Sequence, residues 1–205
     1  KVFCEGMRDG VPIALGYFAV SFSLGIAARN AGLTPIQGFF ASLFNNASAG
    51  EYAAFSLIAA GATYLEVAII TLIANARYLL MSCALAQKFA PGTPFFHRLI
   101  IGYDVTDELF GITIALPGYL NPFYTYGAIA LAAPAWAMGT ALGIIAGNLL
   151  PVRVVSALSV GLYGMFLAII VPVSSKKKSV LAVVALAAAC SILFRYVFTA
   201  VSSGF

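Results

Sequence analysis

An acidic cluster in the middle of the chain is the group of residues best suited to carry an ion. Asp104, Asp107 and Glu108 stand at positions i, i+3 and i+4, a spacing that would place their carboxyl groups on one face of a helix. Thr106 lies between them and completes the candidate set. Because like charges this close cannot all ionise cheaply in a medium of low dielectric constant, the cluster predicts a proton carrier. The alternative is a solvated helix start, where the helix dipole favours acidic residues.

A polar run of small residues interrupts an otherwise apolar stretch and is the second candidate. Its members are Asn45, Asn46, Ser48, Ala49, Gly50 and Glu51. A break at this point would direct the free N–H groups of one half-helix and the free carbonyl groups of the other toward the same space. Such groups suit the carboxylate and the ammonium of an amino acid, so we predict a substrate-binding cavity. The alternative is a plain loop in which Asn and Ser cap two short helices.

Asn75 and Arg77 form a third polar group inside an apolar segment. Glu66 precedes Arg77 by 11 residues, close to three helical turns, and would share its face on a continuous helix. An arginine in this setting needs a partner, which either the acidic cluster or a substrate carboxylate could supply. A third possibility is that the side chain extends to lipid headgroups.

The elements that must position these residues are apolar helices. Of the 205 residues, 62% are hydrophobic and 9% are charged, whereas about 25% of the residues of a soluble domain are charged. Long runs without Asp, Glu, Lys or Arg match or exceed the roughly 20 residues that cross a bilayer. These runs cover residues 10–28, 30–50, 109–152 and 154–175. We therefore predict an all-α, polytopic transmembrane helical bundle in contact with the lipid bilayer, built as a single domain of residues 1–205.

Proline, glycine and charged residues divide the chain into about seven apolar segments. Their predicted bounds are 11–28, 35–62, 64–88, 99–116, 123–147, 153–172 and 179–200. The polar run falls within the second segment, which is therefore predicted to be a broken or re-entrant helix. The last three segments carry few polar groups and are interpreted as scaffold.

Other features argue against several functional classes. Cys4, Cys83 and Cys190 are widely spaced, so neither a disulfide framework nor a metal site is expected, and no cofactor is implied. The net charge of +4 comes from short connecting stretches, which fits lipid headgroups and argues against a nucleic-acid partner. His97 is the only histidine and lies in a connecting stretch. Without a Gly-x-Gly-Asp or Gly-x-Ser-x-Gly motif, an intramembrane protease is the weakest alternative, and we expect no enzyme.

Two stretches carry a resemblance to a known family. Residues 39–88 contain the small-residue break followed by the run Asn-Ala-Arg-Tyr-Leu-Leu-Met-Ser, and residues 98–110 contain Thr-Asp-Glu. Together with Pro12, Gly16 and Gly25, these motifs resemble the AzlC family of branched-chain amino-acid exporters. The similarity spans most of the chain.

The resemblance implies export of leucine, isoleucine and valine, or of toxic analogues such as azaleucine, across the bacterial cytoplasmic membrane. It also implies a small, separately encoded membrane subunit of the AzlD type, whereas the acidic cluster is the feature that predicts ion coupling. Carried over by position, the motif residues are Ser48, Ala49, Gly50, Glu51, Asn75, Arg77, Thr106, Asp107 and Glu108. Family members often have Gln where this chain has Glu51, so the additional carboxyl group bears on both the substrate and the coupling ion. A passive channel, or a transporter of another small solute, remains the main alternative.

Overall fold

The computed structural model describes residues 1–147, 149, 154 and 178–197. The regular elements of these residues are α-helices, which confirms the all-α prediction. The helices are α1 (Val2–Asn30), α2 (Pro35–Asn45), α3 (Ser48–Ala59), α4 (Tyr64–Ala74), α5 (Arg77–Ala86), α6 (Phe95–Tyr103), α7 (Asp107–Ile114), α8 (Pro122–Ala146) and α9 (Lys178–Val197). A compact unit of residues 1–159 contains α1 to α8, and α9 belongs to the unit of residues 160–205. The predicted segment 153–172 lies outside the described residues, apart from residue 154.

Helices α1 and α8 form a closely packed parallel pair. An added Cβ at Gly10 would lie 2.9 Å from the Cα of Ala128, and one at Gly143 would lie 3.0 Å from the Cα of Gly25. Both contacts follow the same order along the two helices, which therefore run in the same direction. Small residues allow this approach, as in membrane helix pairs. With 29 and 25 residues, α1 and α8 are both long and apolar enough to cross a membrane.

Three breaks divide the helices between α1 and α8. The first separates α2 from α3 at Asn46, whose φ of 37° is left-handed, so the predicted interruption of the second segment is confirmed. The second, at Asn75, bends α4 against α5 by 50°, and this pair is apolar enough to form a further span. The third separates α6 from α7 at Asp104. The sequence predicted one apolar segment over 64–88 and one over 99–116, and the structure divides each of these segments into two helices.

Helices α6 and α7 form a hairpin with both outer ends near the N-terminal end of the α1–α8 pair. The Nδ1 of His97 lies 2.7 Å from the hydroxyl of Tyr126 near the start of α8. Beyond the far end of α7, Leu116 lines a small pocket together with Val2 and Glu5 at the start of α1. The Nζ of Lys88, just after α5, donates to the carbonyl of Leu116. The turn between α6 and α7 reaches Tyr17, which lies midway along α1.

Helices α2 and α3 form a second hairpin that enters from the opposite end. Gly38, in the first turn of α2, faces Ile144 near the end of α8. Helix α5 ends close to Leu116, at the N-terminal end of the α1–α8 pair. Because α4 differs from α5 in direction by only 50°, α4 begins at the opposite end of the bundle, where α2 also begins. Helix α3 must therefore return to that end. The turns of the two hairpins meet in the interior, midway along the long helices.

The outward faces of this bundle are apolar. Leu15, Leu72, Leu80 and Ile145 are all largely exposed, although they lie on four different helices. A surface of this kind is stable in contact with lipid hydrocarbon, where helices satisfy their own backbone hydrogen bonds. The structure therefore agrees with the prediction of membrane helices.

Candidate functional site

The three helix breaks meet at one place and bring two of the predicted polar groups together with the acidic cluster. The side-chain amide of Asn46 donates to Oδ1 of Asp104, joining the turns of the two hairpins. The Nδ2 of Asn75 donates to Oδ1 of Asn45 at 3.0 Å. The Asn75 side chain also occupies the space beside Gly50, where an added Cβ would lie 2.5 Å from its Oδ1. A side chain larger than glycine would therefore displace Asn75 from the break.

The acidic cluster is arranged around a corner rather than along one helix face. Asp104 ends α6, Thr106 caps the start of α7, and Asp107 and Glu108 lie in the first turn of α7. The prediction of one shared face is wrong because the chain leaves the helix between residues 104 and 106. As a result Asp104 is buried against Asn46, whereas Asp107 and Glu108 face other partners.

Arg77 is paired with a member of the acidic cluster. Its Nη1 lies 2.8 Å from Oδ2 of Asp107, and the two side chains are 43% and 28% exposed. The guanidinium also lies 5.0 Å from the centre of the Tyr78 ring. Glu66 does not take part in this group, because its carboxylate accepts from the backbone N–H of Thr63 at the start of α4. Of the partners considered from the sequence, the acidic cluster is the one in contact with Arg77.

Tyr17 links α1 to the acidic cluster. Its hydroxyl oxygen lies 2.6 Å from Oε2 of Glu108 and 2.5 Å from Oγ1 of Thr106. The hydroxyl carries one hydrogen, so it can donate to only one of these two groups at a time. The sequence analysis missed Tyr17 because one tyrosine within an apolar helix gives no local sign of a polar partner 91 residues away.

Glu51 is enclosed by neutral hydrogen-bond donors. Its carboxyl group accepts from the hydroxyl of Ser42, from the Nε1 of Trp136 at 2.7 Å and from the hydroxyl of Thr140 at 3.3 Å. The residue is 0% exposed. The rings of Trp136 and Tyr17 pack in a T-shaped arrangement, with the ring centres 5.3 Å apart. The sequence analysis missed Ser42, Trp136 and Thr140, although a single tryptophan amid small residues was a possible signal.

A cleft of about 720 Å³ lies between α3 and α4 and ends at Asn75. Its walls are mostly apolar and include Ala54, Ile58, Val67 and Leu72. At the nearby start of α3, the N-cap residue Ala47 makes no side-chain cap hydrogen bond to the first N–H groups of this helix. Glu51 faces α8 and does not line this cleft. An apolar cleft beside an uncapped helix start can accept a small molecule with one apolar and one anionic part.

Comparisons with known proteins agree with this architecture. The family model described as AzlC protein matches residues 12–150. A membrane protein of Archaeoglobus fulgidus is 30% identical over 83% of this chain and 75% of its own length. The inner membrane protein YgaZ of Escherichia coli is 25% identical over 71% of this chain and 61% of its own length. A membrane protein of Helicobacter pylori is 24% identical over 72% of this chain and 65% of its own length. No solved structure matches the chain.

The family match includes all three helix breaks and the residues that meet at them. It begins within α1 and extends beyond the end of α8, so it covers the long helix pair together with both hairpins. The archaeal relative shares 30% identity over most of the chain. The chain belongs to the AzlC family.

Proposed function

We propose that this protein is an ion-coupled secondary transporter that exports branched-chain amino acids across the bacterial cytoplasmic membrane. The meeting of three helix breaks inside an apolar bundle is the observation that carries the proposal. Backbone that leaves a helix at membrane depth is tolerated where protein encloses it or where it lines a cavity. In secondary transporters, such breaks form the substrate and ion sites.

The substrate site is proposed at the start of α3 and the adjoining cleft. The uncapped N–H groups at Ser48, Ala49 and Gly50 would hold the substrate carboxylate, aided by the positive end of the helix dipole. Side-chain oxygens of Asn45 and Asn75 would receive the ammonium group. The apolar walls of the α3–α4 cleft would hold a branched hydrocarbon side chain.

Glu51 is proposed to act on this site indirectly, by holding α3 in position. Its hydrogen bonds to Ser42, Trp136 and Thr140 hold the α2–α3 hairpin against α8. They thereby fix the direction in which the first turn of α3 points. The carboxyl group would influence substrate binding through the position of the helix rather than by direct contact.

The acidic cluster is proposed to couple ion movement to export. The Arg77–Asp107 ion pair connects α5 to the α6–α7 hairpin, and the contact of Tyr17 with Glu108 connects this hairpin to α1. An ion or proton that binds at Asp104, Thr106, Asp107 or Glu108 would change these contacts. A transporter changes between two states when one set of contacts replaces another.

A small AzlD-type membrane subunit is proposed as the partner, on the basis of the family resemblance. The exposed apolar helix faces of this chain provide surface on which a membrane subunit could pack.

The proposal is tested by measuring efflux of radiolabelled leucine from cells that express the chain with and without a candidate small subunit. The coupling ion is identified in cells treated with a proton uncoupler, which collapses the proton gradient, and in cells whose external Na⁺ is replaced by choline. Efflux against a leucine gradient that stops when an ion gradient is collapsed would support a coupled exporter. Efflux that only follows the leucine gradient would favour a passive channel, and absence of efflux in every arm would reject branched-chain amino acids as substrates.

Asp107→Asn separates coupling from insertion in the same assay. The variant keeps the size of the side chain but removes the charge that faces Arg77. We expect coupled efflux to be lost while the amount of protein in the membrane is unchanged. Asp9→Asn is the matched control, because Asp9 contacts Tyr124 near the outer end of α8 and lies far from the breaks. Unchanged ion-dependent efflux in Asp107→Asn would remove Asp107 from the mechanism.

A further inference from the structure

We propose that the point where the two hairpin turns meet is a sodium site, with Asp104 and Asn46 as its side-chain ligands. This inference rests on the proposed function, because it names the ion that would drive export. Its test measures ion binding alone and therefore does not require transport.

Two buried oxygen atoms at this point lack hydrogen-bond partners. Asp104 is 1% exposed and Asn46 is 6% exposed. Oδ1 of Asp104 accepts from the amide of Asn46, but Oδ2 of Asp104 and Oδ1 of Asn46 have no donor in the described part of the chain. Buried polar atoms in proteins are nearly always paired. Two unpaired oxygens, one from each hairpin, therefore form a pair of ligands suited to a cation between the hairpins.

The backbone around these oxygens also favours a cation. Asn46 is the C-terminal cap of α2, and Asp104 is the C-terminal cap of α6. The C-terminal end of a helix carries partial negative charge and carbonyl groups that have no partner within the helix. Two such ends meet here beside a buried carboxyl group. Broken helices of secondary transporters bind Na⁺ with groups of this kind.

The charges of the neighbouring side chains favour a monovalent ion. Arg77 is paired with Asp107, so its charge is already matched. Glu108, the other acidic group near Asp104, turns its carboxyl group toward the hydroxyl of Tyr17. Within the described residues, no three His, Cys, Asp or Glu side chains are grouped as they would be around a transition metal. One carboxylate with neutral oxygen ligands suits a hard cation of single charge.

The test uses the full chain purified in detergent without any amino acid, and it measures binding of ²²Na⁺ together with the fluorescence of Trp136. Trp136 is the only tryptophan, and it packs on Tyr17, which contacts Thr106 two residues from Asp104. We expect saturable binding of one Na⁺ per chain and a fluorescence change with NaCl that equal concentrations of KCl or choline chloride do not produce. Asp104→Asn should weaken Na⁺ binding at least ten-fold, whereas Asp9→Asn should leave it unchanged.

Several results would overturn the proposal. The first is the absence of saturable ²²Na⁺ binding to the wild-type chain, which decides the matter even if Asp104→Asn does not purify as a monodisperse protein. Undiminished binding in a well-folded Asp104→Asn variant is the second. A fluorescence response to pH but not to Na⁺ would assign the site to a proton instead. Na⁺ binding without leucine efflux would reject the proposed substrate and keep the ion site, whereas leucine efflux without Na⁺ binding would reject the ion site alone.

Discussion

The hydrogen bond between Trp136 and Glu51 provides a quantitative test of how α8 holds the α2–α3 hairpin. Trp136→Phe keeps an aromatic ring but removes the N–H group that lies 2.7 Å from Oε2 of Glu51. Because Glu51 is 0% exposed, water cannot replace the lost donor. We therefore expect the variant to be clearly less stable than the wild-type protein.

The expected loss has two parts. Leaving a buried oxygen of Glu51 without its donor costs about 1 to 3 kcal/mol of the free energy of unfolding. The space left when a phenyl ring replaces an indole ring costs about 1 to 2 kcal/mol more. The total expected for Trp136→Phe is therefore about 2 to 5 kcal/mol.

A double-mutant cycle with Glu51→Leu separates these two parts. In the Glu51→Leu background the acceptor is absent and the Trp136 N–H is left unpaired, so Trp136→Phe should cost at most the packing part of about 1 to 2 kcal/mol. The coupling energy between the two positions should be about 1 to 3 kcal/mol or more. The free energy of unfolding would be measured by circular dichroism in mixed micelles with increasing SDS. A coupling energy below about 0.5 kcal/mol, the usual limit for independent sites, would refute the reasoning.

Three further predictions concern the long helix pair, the ion pair and a helix start. Gly143→Ala should lower the free energy of unfolding by about 1 to 3 kcal/mol or more, because the new Cβ would overlap the backbone of α1. Gly111→Ala is the control: no atom lies within 4 Å of its added Cβ, so it should be neutral or stabilising in the same SDS titration. Arg77→Lys should keep the charge facing α7 but lower ion-coupled leucine efflux by about ten-fold, because lysine lacks the planar guanidinium that pairs with Asp107 while lying against Tyr78. Unchanged ion-coupled efflux would assign Arg77 to structure alone. Thr63→Ala removes the side-chain acceptor of the capping box at the start of α4, so backbone amides in that turn should exchange with solvent faster, while exchange in α8 stays the same.

Much of the fold was predictable because hydrophobicity is a local property of the chain. Uncharged apolar runs of about 20 residues or more require helices in lipid, whatever their neighbours are. The break at Asn46 was predictable for the same reason, since a run of small and polar residues interrupts the apolar pattern at that point. The residue types of the site were also visible, because polar groups are rare in apolar segments and are usually functional there.

The breaks at Asn75 and Asp104 were not predictable from local pattern. Each of these residues turns its side chain toward a partner from another break, and these contacts compensate for the interruption of the helix. The partners lie far apart in sequence: Asn46 and Asp104 are separated by 58 residues, and Asn45 and Asn75 by 30. No window of consecutive residues contains such a pair.

The sequence by itself determined that this chain forms apolar membrane helices with a few polar interruptions. The tertiary structure decided which interruptions meet. It placed Asp104 against Asn46, Asp107 against Arg77, and Glu51 among donors from α2 and α8. The physical reason is that a buried polar group must find its hydrogen-bond partner in space, and packing of the whole bundle determines which groups become neighbours.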